Sequence, residues 1–392
     1  MSDALGKTLR EVRKARGKSL AVIAGRAGIS PSYLSRLESG ERALDRRSLI
    51  VALADALEVA PSEITGGAPA APRGTDDDRA FADVRLALLA VGLGEPRGIV
   101  QPAEQLRHRV SHLIAAINGA DTAGAGAALP SLIRDLHETE KAHQDEPEVL
   151  RLLALAHMQG TQAWLAAVGA PMDLSWQATT FARQSAERLG EPVALGVATY
   201  GTALGLLSAG AFDLAAQTLD AVELPLVTVE DMQLAGSLAL ASSLVSAARN
   251  DRPERFAALE YASELAERTG ETNMLGFGFG PSNVAVWRMQ CALEVGDHAE
   301  AAALADTVDP RALTVRAREA IYWREYGRAL AHLPKQRDNA VTMLRRAEQI
   351  SPDHVHRHPF TRSTLTELLA RAKRDAVGRE MRGLAYRAGL HV

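Results

Sequence analysis

Residues 20–39 read LAVIAGRAGISPSYLSRLES, and this stretch decides the reading of the N-terminal fold. Ala24 is small where two crossing helices would touch. Gly28, four residues later, permits the left-handed backbone that a three-residue reversal requires. Ser30 followed by Pro31 marks a helix start: a capping side chain, then a ring whose fixed φ suits the first helical position. The helix begun there, PSYLSRLES, stops at Gly40. It puts Leu34 and Leu37, with Ile29 before them, on a core side.

Outward from this stretch the pattern stays helical. Residues 5–16 place Leu5, Leu9, Val12 and Arg16 on one face, ended by Gly17, and Ser19 can cap the helix that follows. A fourth helix, about 46–58, should bury Leu49, Leu53, Ala54 and Leu57. Residues 66–78, GGAPAAPRGTDDD, cannot bury a core. The chain is therefore expected to divide into a head (1–65), a linker (66–79) and a body (80–392). The head carries 11 Lys and Arg against 8 Asp and Glu, a net +3, and the remainder is at −7, so only the head is suited to a polyanion.

The head resembles the Xre/Cro-type helix-turn-helix family of phage and bacterial repressors over about residues 5–64, including the tail ADALEVAPSEI. The resemblance implies double-stranded DNA as partner, an inverted-repeat operator and a homodimer, with the third helix lying in the major groove. Matched to the family, Pro31, Ser32 and Arg36 fall where base edges are read, and Ser35 faces the same way. The Arg36 guanidinium can hold guanine O6 and N7 together; the alternative is a phosphate contact. Tyr33 could stack on sugar-phosphate, bond a phosphate, or pack on the head. Ser19, Ser39, Arg42, Arg46 and Arg47 are expected at the DNA backbone. Leu20 departs from the glutamine common at its position, which removes one phosphate contact. Arg13 and Glu38 match a structural ion pair joining the first and third helices.

The body carries a loose repeat. Segments aligned on Ala178, Ala215, Ala258, Ala301 and Ala340 step by 37, 43, 43 and 39 residues, each after a Gly- or Asp-marked turn. A period near 40 reads as a stack of helix pairs. Ala340, Ala347 and Pro352 follow the tetratricopeptide pattern of small, small and terminal proline. The expected fold is therefore all-α: a helix-turn-helix head of four to five helices on a tetratricopeptide-like α-solenoid. The arrangement resembles actinobacterial Xre-type regulators with tetratricopeptide-like C-terminal domains, with GFGPSNVAVWRMQCALEVGD and ISPDHVHRHPFTRSTLTELLARA as the matching blocks. It also resembles, in architecture alone, the peptide-responsive quorum-sensing regulators. These imply a body that dimerises and senses a small molecule or peptide, in control of specialised metabolism or development.

For such a ligand the stretch NMLGFGFGPSNVAVW (273–287) stands out. Asn283 and Trp287 lie four residues apart on one helix face, and a buried Asn offers donors and an acceptor to a peptide bond. Alternatively Asn283 satisfies the irregular turn and Trp287 is core; Asn273 is a further candidate or a turn residue. His354, His356 and His358 alternate in a way that could suit a metal, but they sit between prolines and read as a loop, so no metal or cofactor is expected. A single cysteine, Cys291, excludes an internal disulfide and fits a reducing cytosol. No run of about 18 uninterrupted apolar residues predicts a membrane span. No P-loop, dinucleotide fingerprint, HExxH or nucleophile elbow is present, so no enzyme is expected. The alternative from another class is an adaptor, with the solenoid binding a protein and the head localising it to DNA.

Overall fold

The computed structural model describes residues 4–65, 75–372 and 374–390. The chain is all-α; among the described residues the β structure is a single antiparallel bridge between Thr272 and Phe279. The head comprises α1 (Ala4–Ala15), α2 (Leu20–Arg26), α3 (Pro31–Ser39), α4 (Arg47–Leu57) and α5 (Pro61–Thr65). Ser19 and Ser30 cap α2 and α3, accepting from the amides of Val22 and Tyr33 at 3.3 and 3.1 Å. Gly28 takes φ 68° in the turn between them. α1 and α3 meet backbone to backbone: a Cβ on Gly6 would stand 2.3 Å from the Leu37 carbonyl oxygen.

The body follows in antiparallel pairs. Its helices are α6 (Thr75–Gly92), α7 (Ala103–Asn118), α8 (Thr122–Ala142), α9 (Pro147–Leu155), α10 (Ala163–Ala167), α11 (Met172–Leu189), α12 (Pro192–Ala209) and α13 (Phe212–Asp220). Then come α14 (Val229–Ala248), α15 (Arg252–Thr269), α16 (Pro281–Val295), α17 (His298–Ala305), α18 (Arg316–Ala331), α19 (Arg337–Ile350), α20 (Pro352–His356), α21 (Pro359–Ala370) and α22 (Ala376–Arg387). A π-helical segment, 156–162, joins α9 to α10. The five repeat alanines fall on alternate helices, α11, α13, α15, α17 and α19, and all are buried. Each is the small residue that lets the paired helix approach.

Three differences from the sequence reading follow from packing. The expected linker covers 66–79, yet α6 already begins at Thr75; residues 66–74 lie outside the described residues. The alternating histidines are not in a loop: His354 and His356 end the short helix α20, and His358 caps α21. Helix α12 is long and apolar enough to cross a membrane, although no span was expected. It lies inside the body between α11, α13 and α14, with ten of its residues buried, among them Gly196, Gly201 and Thr202.

The body also curls until its ends meet. Thr122 donates to Asp353 at 2.6 Å, and a Cβ on Gly169 would stand 3.2 Å from the Arg357 side chain. The glycine-rich segment 271–280 turns into the space so enclosed. Phe279 is fully buried against Gly236, where a Cβ would meet its ring at 2.0 Å, and Gly276 lies beside Ile114 and Asn118.

Candidate nucleic-acid interface

Helix α3 has two unlike faces. Leu34, Leu37 and Glu38 are buried, while Pro31, Ser32, Ser35 and Arg36 are exposed on the opposite side. The structure thus brings all four expected base-reading residues onto one open face. The Ser32 hydroxyl lies 3.2 Å from that of Ser30, and Ser39 donates to the Arg36 carbonyl at 3.2 Å.

Arg13 and Glu38 meet as a buried fork. Arg13 Nε and Nη2 donate to the two Glu38 oxygens at 2.5 and 2.8 Å, and Nη1 donates to the Lys18 carbonyl at 2.9 Å. Hydrogen bonding to Glu38 raises the Arg13 pKa above its ordinary value, so the guanidinium keeps its charge. Two parallel bonds fix an angle as well as a distance, so the pair sets α3 against α1.

The arginines expected at DNA phosphates, Arg42, Arg46 and Arg47, each also lie against the body. Arg47 donates to the buried Glu294 carboxylate of α16 at 3.0 Å, and its guanidinium lies 5.2 Å from the Phe360 ring centre. Arg46 sits against the turn after α16, where a Cβ on Gly296 would stand 3.1 Å from its Nη1. Arg42 lies 3.6 Å from Glu367 of α21. Their partners are about 250 to 325 residues away along the chain, beyond any local pattern. Ser19 is exposed beside the α2 N-terminus; Tyr33 and Arg36 border a cleft between α3 and the body.

Head and body are joined by more than these arginines. Phe360 completes the head's own core beside Leu44, Leu49 and Leu53. Glu367 accepts from the Ala43 amide and Ser363 from the Leu44 amide, both at 2.8 Å; Glu294 accepts from the Ser48 amide at 3.0 Å. Asp45, fully buried, takes a hydrogen bond from His332 at 3.0 Å. Burial acts to raise the Asp45 pKa, but that bond, with the charges of His332 and Arg328, holds it down at about 2. Head and body are therefore packed through a shared apolar cluster and buried polar bonds.

In the body, Asn273 accepts from the Gly278 amide at 2.8 Å, and Asn283 donates to the Gly278 carbonyl. Trp287 is buried in the core with the Arg318 guanidinium 5.6 Å from its ring centre. The two asparagines thus serve the turn, and Trp287 serves the core. Asn283 Oδ1 and Trp287 Nε1 nevertheless have no hydrogen-bond partner among the described residues. The same holds for two residues that sequence reasoning missed, Gln159 and Gln233, at their Nε2 atoms. Gln233 accepts from the Met274 amide at 3.1 Å, and Gln159 lies beside Gly276, so both flank the 271–280 segment. No motif marks them, because glutamines 74 residues apart meet only through the curl of the body.

A sequence-family description, helix-turn-helix domain, matches residues 4–65, the span of α1 to α5. No curated protein and no solved structure matches the chain. With α2, the Gly28 turn and the two-faced α3 in place, the N-terminal region is a helix-turn-helix domain, and the chain carries the DNA-binding head of a regulator.

Proposed function

We propose that this chain is a sequence-specific transcription regulator of the Xre/Cro type. In this reading it acts in the cytosol as a homodimer on an inverted repeat, and its tetratricopeptide-like body senses a small molecule or peptide. The observation that carries the DNA part is the exposed row Pro31, Ser32, Ser35 and Arg36 on a helix locked by the Arg13–Glu38 fork. Arg36 reads a base, by its planar fork, and the serines adapt around it. No catalytic step is assigned to any residue.

The sensing part rests on the four unpartnered polar atoms of Gln159, Gln233, Asn283 and Trp287 around segment 271–280. A buried polar group without a partner costs about 1–3 kcal/mol, and a ligand rich in amide groups would recover that cost. Selection of DNA from a random pool at near-physiological salt, with the parent and Arg36→Ala in parallel, tests the main reading. The parent should enrich an inverted repeat, and the variant should relax one base position in each half by about 1–3 kcal/mol. Enrichment of no sequence by the parent, or an unchanged motif in the variant, would overturn it.

A further inference from the structure

Three donor-bearing side chains from distant parts of the chain converge where head meets body. Asp45 lies between α3 and α4, His298 opens α17, and His332 follows α18. One oxygen of Asp45 and one nitrogen from each histidine lie within 4.8 Å of one another. The two imidazole rings stack at 3.9 Å between centres and 15° between planes. Nδ1 of His298 is buried with no hydrogen-bond partner among the described residues, an unsatisfied position that calls for a ligand or an ion.

The spacing suits a tetrahedral metal. Bonds of about 2.0 Å put neighbouring donor atoms about 3.3 Å apart, and Asp45 Oδ2 already stands 3.0 Å from His332 Nε2. A metal would replace the shared proton between them, and the His298 ring would turn out of its stack on His332 and close in by about an ångström or more to aim its in-plane lone pair at the ion as the third bond. Glu367 Oε2 lies 3.5 Å from His332 Nδ1, on the far side of the ring. A carboxylate behind a histidine holds Nδ1 protonated and turns the Nε2 lone pair toward the site, as around many bound metals. Arg324 and Arg328 bring positive charge nearby, but the buried Glu325 carboxylate pairs with both. Two imidazoles and one carboxylate form a borderline donor set, which favours zinc over magnesium or calcium. The cleft bordered by Tyr33, Arg36 and Arg46 opens beside the cluster and leaves the fourth position to water.

We propose that Asp45, His298 and His332 form a zinc site that staples the DNA-binding head to the helical body. Asp45 belongs to the head and both histidines to the body, so the bound ion adds its binding free energy to the docking of one on the other.

The experiment is titration of the chelator-stripped full chain with Zn2+ alone against a chromogenic zinc indicator, with thermal unfolding followed in parallel. The parent should take up one zinc per chain, and its Tm should rise by several degrees. His298→Gln should bind about 100-fold more weakly or worse, since loss of even an outer partner costs 10–100-fold. Its Tm in chelator should match the parent's, because His298 stands half-buried at a helix start, with no hydrogen bond to lose at Nδ1. Asp45→Asn is the second variant and should also bind weakly, while His354→Gln, outside the cluster, should bind as the parent does. Co2+ in place of zinc should give the strong visible absorption of a tetrahedral site in the parent and lose it in His298→Gln. No stoichiometric zinc on the parent, or unchanged affinity in folded His298→Gln, would overturn the proposal. Zinc lost in His354→Gln and kept in His298→Gln would overturn it equally.

Discussion

At the scale of single residues, the Arg13–Glu38 fork is the sharpest case. Both groups are buried, so removing Arg13 takes a two-bonded charged partner away from a buried carboxylate. Arg13→Ala should therefore cost about 3–5 kcal/mol in urea unfolding, while the DNA motif recovered by selection stays the same. A changed motif would mean that Arg13 acts at a base. The pair was legible in the sequence because the family resemblance named both positions. Arg47 shows the opposite situation. It opens α4, the helix after α3, where a phosphate contact is the natural reading of the sequence, but a buried glutamate 247 residues later pairs with it. Charge at a surface position tells that a partner exists and leaves open which one.

At the scale of elements, caps and turns were readable and close approaches were not. Ser19, Ser30, Gly28 and Gly40 each do locally what their types suggest. Gly236 looks like an ordinary glycine in an Ala-rich helix, yet the Phe279 ring fills the space where its Cβ would stand. Gly236→Ala should destabilise the body by about 1–3 kcal/mol, since the segment 271–280 must shift or the helix bend. Differential scanning calorimetry would measure this, and an unchanged Tm would show that Phe279 moves aside without cost. The repeat alanines, by contrast, were visible as a period and landed on equivalent helices, because a helix pair can close only over a small side chain.

At the scale of the whole molecule, head and body share a core. Phe360→Ala should cost about 3–5 kcal/mol, and it should separate one cooperative thermal transition into two, since the head would lose its anchor. A single undivided transition would refute that coupling. Buried histidines add a pH dependence. Burial holds His137 and His354 at about 4, well below their ordinary 6.5. The unfolded chain then binds protons that the folded chain refuses. Stability from this source is full above about pH 6.5 and falls as pH drops toward 4. Urea midpoints measured between pH 7 and pH 4 should decline over that range, and a flat profile would show that the two rings take up protons without unfolding.

The sequence by itself determined the all-α class, the helix-turn-helix head, the exposed face of its third helix and the period of the body. All of these rest on contacts between residues near in the chain, whose spacing repeats with the helix. Only the tertiary structure decided where Arg42, Arg46 and Arg47 go, what fills the inside of the body, and that Asp45 meets His298 and His332. Those groups lie hundreds of residues apart, and what joins them is the curvature accumulated over a stack of helix pairs. That quantity is a sum over many small packing angles, and no single motif carries it.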